Sequence, residues 1–117
     1  MSAIIIDDNL LKIKMIEKYI SKFISLHDVA KCGESALDFL ETNTYQYIFL
    51  DHHLPDCYGS DLLEQIKTVH YKSKIISISN DTTVLTDYKQ IGYDDVFVYP
   101  FDESIKRILA GTIQSNH

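Results

Sequence analysis

Five short apolar runs, each followed by a longer stretch with apolar residues at helical spacing, constrain this chain more than any other feature. The runs are residues 3–6, 28–32, 47–50, 75–78 and 96–98. All but 28–32 are continuously or nearly continuously apolar, the pattern of strands buried on both faces of a parallel sheet. The more polar run 28–32 belongs nearest an edge. Ile13, Ile16, Ile20 and Phe23 form one helical stripe, Ala36, Leu37 and Leu40 a second, and Leu62, Leu63 and Ile66 a third. Val84, Leu85, Tyr88 and Ile91 make a fourth, and Ile105, Ile108, Leu109 and Thr112 a fifth. Each stripe can cover one face of a sheet. Asp61 with Glu64, Asp81 with Thr82, and Asp102 supply capping residues for the third, fourth and fifth helices. Gly59 and Gly92 punctuate connections. Five β-α units in succession, with no internal repeat, imply an α/β fold: a doubly wound five-stranded parallel sheet with helices on both faces.

Composition narrows what such a domain can do. A length of 117 residues, with 45% apolar and 24% charged side chains, suits a single soluble domain over residues 1–117. No apolar run approaches the ~18 residues of a membrane span, and the Met1-Ser2-Ala3-Ile4 start does not resemble a signal peptide. The expectation is a cytoplasmic protein with no membrane partner. Eleven Lys and Arg against 17 Asp and Glu give a net charge of -6. Repulsion from phosphate backbones then argues against direct nucleic-acid binding. Cys32 and Cys57 lack a CxxC spacing and are too few for a disulfide scaffold, so they read as reduced thiols.

Doubly wound sheets bind ligands beyond the carboxyl ends of their strands. Strand one ends in Asp7-Asp8 and strand three in Asp51. If those strands are neighbours, three carboxylates meet in one crevice. Like charges so placed raise one another's pKa and cost stability unless a cation joins them. Oxygen ligands of this kind suit Mg²⁺, which keeps several waters and takes one or two carboxylates. The alternative is that the adjacent acids only cap helix one, which leaves Asp51 without a reason to end an apolar strand. Strand four ends in Ser77-Ile78-Ser79-Asn80-Asp81, with Ser77 and Ser79 on one side and the Ser79 hydroxyl at the mouth. It could donate to an anionic oxygen or satisfy a turn. Strand five runs into Tyr99-Pro100, a turn signal.

These pieces in this order resemble the receiver domain of two-component response regulators over essentially the whole chain. The resemblance rests on Ile4-Ile5-Ile6-Asp7-Asp8-Asn9 and on Asp51-His52-His53-Leu54-Pro55-Asp56-Cys57-Tyr58-Gly59, the latter matching an Asp-x-x-Leu-Pro-x-x-x-Gly run. Gly33-Glu34-Ser35-Ala36-Leu37 and Gly92-Tyr93-Asp94-Asp95 match more weakly. The resemblance implies a flavodoxin-like receiver fold with strand order 2-1-3-4-5. It also implies that Asp51 accepts a phosphoryl group and that Asp8 is the main Mg²⁺-binding acid. Asp7 would hold the ion through water, with the backbone carbonyl of His53 as a further ligand. Ser79 would bind a phosphoryl oxygen. The donor would be a histidine kinase or phosphotransfer protein, and the readout a downstream protein target or output domain, bound through the face of helix four, strand five and helix five, or through helix one.

The chain departs from that family where a lysine ordinarily precedes the strand-five proline; here Tyr99 stands there. A neutral hydroxyl replaces an ammonium, and a charge-assisted hydrogen bond is roughly twice as strong as a neutral one. Asn80 replaces a small residue, and Val96 replaces the usual aromatic switch residue. A second reading follows: a receiver-like interaction module whose partner binding does not depend on phosphate. A haloacid dehalogenase type of phosphatase would want an Asp where His53 stands, and a nucleotide-binding loop would want glycines in place of Asp7-Asp8-Asn9-Leu10. His52 and His53 are adjacent and His27 and His70 stand alone, a poor spacing for zinc. No conventional enzyme activity is expected beyond self-catalysed phosphorylation and dephosphorylation of Asp51.

Overall fold

The computed structural model describes residues 2–70, 72–79 and 82–98. Among the described residues nine elements alternate: β1 (Ser2–Ile6), α1 (Leu10–Ile20), β2 (Leu26–Ala30), α2 (Gly33–Thr42), β3 (Tyr47–Leu50), α3 (Gly59–Val69), β4 (Lys74–Ile78), α4 (Thr82–Ile91) and β5 (Asp95–Phe97). The strands form one parallel sheet in the order β2-β1-β3-β4-β5, the order and fold class expected from the sequence. The fifth helical stripe, Asp102, Asn80, Asp81 and Tyr99 lie outside the described residues.

Alternation along each strand divides the core into two layers. Ile5 and Phe49 point to one face, where Ile13, Ile16 and Ile20 of α1 cover them together with Phe97. Ile4, Ile6, Ile48 and Leu50 point to the other, against Ala36 and Leu40 of α2 and Leu62, Leu63 and Ile66 of α3. All four residues of β3 are fully buried, so a continuous apolar tetrapeptide is the only composition that fits there. Each such side chain contributes about 1.5–3 kcal/mol through burial.

β1 and β4 each start one residue earlier than their apolar runs, and other boundaries differ further from the sequence expectation. β2 starts at Leu26 and ends at Ala30, because its length is set by pairing of Ser2 with Leu26 through Ile6 with Ala30. Cys32 therefore leaves the sheet and becomes the N-cap of α2, its Sγ accepting from the Ser35 amide at 3.4 Å. β2 is an edge strand, as its polarity suggested, and Leu26 stands 70% exposed on it. Helix α3 begins at Gly59, so Asp61 is not its cap. Asp61 sits in the first turn and reaches back, its Oδ2 accepting from the Tyr58 amide at 2.8 Å. β5 spans Asp95–Phe97, one residue earlier than the apolar run. Phe23 falls beyond the end of α1 yet still packs against the first core layer.

Candidate functional site

Sheet hydrogen bonding does not stop where β1 and β3 end. The Asp7 amide donates to the Ala30 carbonyl at 3.0 Å, and the Asp51 amide to the Ile6 carbonyl at 2.9 Å. Those bonds lock both aspartates into the pleat beyond neighbouring strands. Asp7 is fully buried and Asp51 is 6% exposed, whereas Asp8 faces solvent. Carboxylate oxygens of Asp7, Asp8 and Asp51 all lie within 4.8 Å of one another. The three acids picked out at the strand ends thus converge in one crevice.

The two buried carboxylates are held in the same way. One oxygen of each accepts the backbone amide two residues on: Asp7 Oδ1 from Asn9 at 2.9 Å, and Asp51 Oδ1 from His53 at 3.3 Å. The second oxygen of each faces the Lys12 ammonium, at 3.1 Å for Asp7 Oδ2 and 3.4 Å for Asp51 Oδ2. Asn9, not an aspartate, caps α1, its Oδ1 accepting from the Lys12 amide at 3.0 Å. Asp7 supports that cap with one oxygen, so the capping alternative describes half of its role. Its other oxygen is buried and already draws a cation, the Lys12 ammonium 3.1 Å away. A buried carboxylate oxygen in that condition, next to two further acids, fits a hard divalent cation such as Mg²⁺.

Burial pushes the Asp51 pKa from 3.8 up to about 6, and the Asp7 charge pushes it the same way. Lys12 and the His53 amide oppose that rise without cancelling it. The result is a carboxylate that titrates closer to neutrality than an aspartate ordinarily does.

Behind Asp51 the packing is aromatic. The buried Tyr93 hydroxyl lies 3.1 Å from His52 Nδ1, and its pKa is raised by burial and by the Asp51 charge. His52 and His53 rings meet edge-on, and both contact the Tyr58 ring. Gly59 closes this side: a Cβ there would lie 2.8 Å from the Asp51 carbonyl oxygen and 3.1 Å from the His52 Cα. The glycine ending the Asp51–Gly59 motif is therefore required by close backbone approach. At the end of β4, Ser77 is fully buried and Ser79 nearly so. Continuing the Leu50–Ser77 register brings Ser79 level with His52, one residue past Asp51.

The segment between His53 and Tyr58 folds back on itself. His53 and Tyr58 form an antiparallel bridge, and the Leu54 amide donates to the Cys57 carbonyl at 3.0 Å. This loop aims Asp56 at the start of α2, where its oxygens accept from the Gly33 and Glu34 amides at 2.7 and 3.0 Å. Those two donors hold the Asp56 carboxyl below the usual range.

Two residues at the site escaped the sequence reading. Lys12 was hidden because the stripe of α1 is defined by Ile13 and its partners. One signal was present: a cation in the first turn of a helix opposes the helix dipole and needs a compensating anion. Tyr93 enters the sequence reading only through the weak Gly92–Asp95 match, whereas the structure buries it with its hydroxyl against the histidine that follows Asp51. No helix among the described residues is long and apolar enough to cross a membrane.

Known proteins share this fold. The sequence profile of the family described as "Response regulator receiver domain" matches residues 3–109. The chain is 25% identical over 116 residues to stress response regulator protein 1 of Candida tropicalis, covering 94% of this chain and 44% of that protein. It is 34% identical over 82 residues to the cell cycle transcriptional regulator CtrA of Caulobacter vibrioides, covering 67% of this chain and 36% of that protein. It thus spans less than half the length of either relative. Among solved structures, a CheY-like receiver domain from Methylobacillus flagellatus superposes with a TM-score of 0.84 at 24% identity, covering 95% of this chain and 97% of that one. Sheet order, the acid-lined crevice at the ends of β1 and β3, and the match over nearly the full chain agree: the chain belongs to the family of response regulator receiver domains, the signal-receiving modules of two-component systems.

Proposed function

We propose that Asp51 accepts a phosphoryl group from a histidine kinase or phosphotransfer protein, and that the phosphorylated domain alters binding to an output domain or protein target. The observation that carries this reading is the pair of buried carboxylates, Asp7 and Asp51, side by side at the ends of neighbouring strands. Such a pair costs stability, and nothing in the fold alone demands it.

Receiver domains as a family bind Mg²⁺, and the oxygen donors here suit it. Asp7, Asp8, Asp51 and the His53 carbonyl would hold the ion, which when bound neutralises charge on the transferring oxygens. The rest falls to the chain itself. An ionised Asp51 oxygen attacks phosphorus in line, forming a carboxyl O–P bond as the bond to the donor's leaving group breaks. The leaving group departs with the bonding electrons and takes a proton from solvent. The His53 amide orients the attacking carboxylate through its other oxygen. The Ser79 hydroxyl, at the end of β4, donates to a phosphoryl oxygen. Hydrolysis by water returns Asp51 and inorganic phosphate.

Intact mass after incubation with acetyl phosphate and MgCl₂ tests this. One phosphoryl group per chain is expected, with none on Asp51→Asn. An unmodified wild-type mass, or a modified Asp51→Asn, would overturn it. The phosphate-independent reading keeps one observation in its favour, Tyr99 in place of the strand-five lysine. A ligand shifts a two-state equilibrium only through contacts that differ between the states. Beryllofluoride should therefore move the amide resonances of α4 only slightly in wild type and further in Tyr99→Lys. A full rearrangement in wild type would show the tyrosine to be a competent substitute.

A further inference from the structure

We propose that Lys12 is a built-in counter-cation of the acid pocket, and that a divalent metal reaches Asp7 and Asp51 only by displacing its ammonium. This rests on reading the pocket as a divalent-cation site. The argument starts from position. Lys12 stands in the first turn of α1, where the helix dipole disfavours a cation, and its side chain is only 17% exposed. A lysine with a hydrated alternative does not take up such a place without anions to repay its desolvation. Here it has two. Its Nζ lies 3.1 Å from Asp7 Oδ2 and 3.4 Å from Asp51 Oδ2, bridging the two buried carboxylates.

The oxygens involved decide the consequence. Asp7 Oδ1 and Asp51 Oδ1 are already committed to the Asn9 and His53 amides. Of these two acids, the oxygens not taken up by those amides are the ones that face Lys12. Mg²⁺ binds carboxylate oxygen at about 2.0–2.1 Å and keeps a shell of waters. An ammonium about 3 Å from the same oxygens takes the room for that shell and repels the incoming charge. Unlike a bound ion, the ammonium rides on a flexible four-carbon stem and can withdraw without leaving the protein. The pocket thus has a resident cation when metal is absent, which relieves the Asp7–Asp51 repulsion, and metal binding becomes an exchange of one cation for another.

The 117-residue chain, titrated with MgCl₂ and followed by amide shifts of residues 7–9 and 51–53, tests the exchange. Lys12→Met keeps the stem and removes the charge; Lys14→Met, on an exposed position of the same helix, is the control for charge alone. Lys12→Met should tighten Mg²⁺ binding on the order of tenfold, and Lys14→Met by less than about twofold. Equal or weaker binding by Lys12→Met overturns the proposal, as does equal tightening by Lys14→Met. Wild type supplies a readout that needs no variant to fold: the Lys12 side-chain ¹⁵Nζ resonance should move toward that of a solvated lysine as Mg²⁺ saturates. A resonance that stays in place overturns the exchange. The phosphoacceptor reading is judged separately, by mass. Tightened Mg²⁺ binding without phosphorylation would sink that reading and leave this one standing. Phosphorylation with unchanged Mg²⁺ affinity in Lys12→Met would do the reverse.

Discussion

Asp51 and Asp56 lie five residues apart in the same connection between β3 and α3, and the fold treats them in opposite ways. Asp51 is buried beside another carboxylate, receives one backbone amide, and is pushed up to about pH 6. Asp56 is held by two amides at the start of α2 and is pushed below the ordinary range. The difference lies in what each oxygen meets. Helix N-termini supply donors without asking for desolvation, so an acid there is a structural anchor. A strand end inside the sheet supplies burial and a like charge, so an acid there stays available for new partners. Chemical identity is the same; the backbone around it separates anchor from reactive group.

The contrast can be broken by exchange of either acid. The largest expected effect is functional: Asp51→Asn should abolish phosphoryl incorporation from acetyl phosphate, while Asp56→Ala leaves it in place, both read by intact mass. The next is a stability effect of the opposite sign to most substitutions. Because folding raises the Asp51 pKa from 3.8 to about 6, the native state keeps a proton that the unfolded chain has lost between those values. Stability therefore falls as pH rises through that window, and the full penalty is present above it. Asp51→Asn should stabilise the protein by about 1–3 kcal/mol near pH 8, with the gain shrinking to nothing near pH 4, as followed by thermal or urea unfolding. Identical stability of the two proteins across that range would dissolve the contrast.

Gly59→Ala probes the close backbone approach behind Asp51. The added Cβ meets backbone on two sides, and a loss of about 1–3 kcal/mol is expected. The smallest effect belongs to Asp56→Ala. Its loss should appear as faster amide exchange at Gly33 and Glu34 with little change elsewhere. A group with a depressed folded pKa contributes above its unfolded pKa, and the contribution fades as pH falls through the folded value. The difference between Asp56→Ala and wild type should therefore vanish in acid.

The fold was legible because its strands leave few choices. A tetrapeptide such as Tyr47-Ile48-Phe49-Leu50 has no polar face, so only a two-sided core accepts it. The acids were legible for the complementary reason, since Asp7, Asp8 and Asp51 interrupt apolar runs at equivalent places. Less was visible at element starts. Cys32 ends an apolar run and Asp61 carries cap chemistry, yet local propensity does not reveal where an edge strand's pairing stops or that Gly59 is admitted to the helix. Lys12 was invisible for a different reason. Its importance comes from the length of its side chain, which spans from the helix to two strand ends, and no spacing rule reports where a flexible stem leads.

The folded-back loop from His53 to Tyr58 has a bearing on how the chain can change length. One end is tied to the sheet through Asp51, the other to α3 through Gly59, whose amide donates to the His52 carbonyl at 2.7 Å. Its middle is tied to a third element, α2, through Asp56. A single residue inserted or deleted there would have to break at least one of three attachments. Residues 21–25, between α1 and β2, anchor Ile24 and Phe23 in the first core layer but carry, among the described residues, no hydrogen bond to an element other than α1. Length variation should accumulate in that turn and be purged from the loop, so a library of one-residue insertions scored for folded protein would trace the tethers as a silent gap.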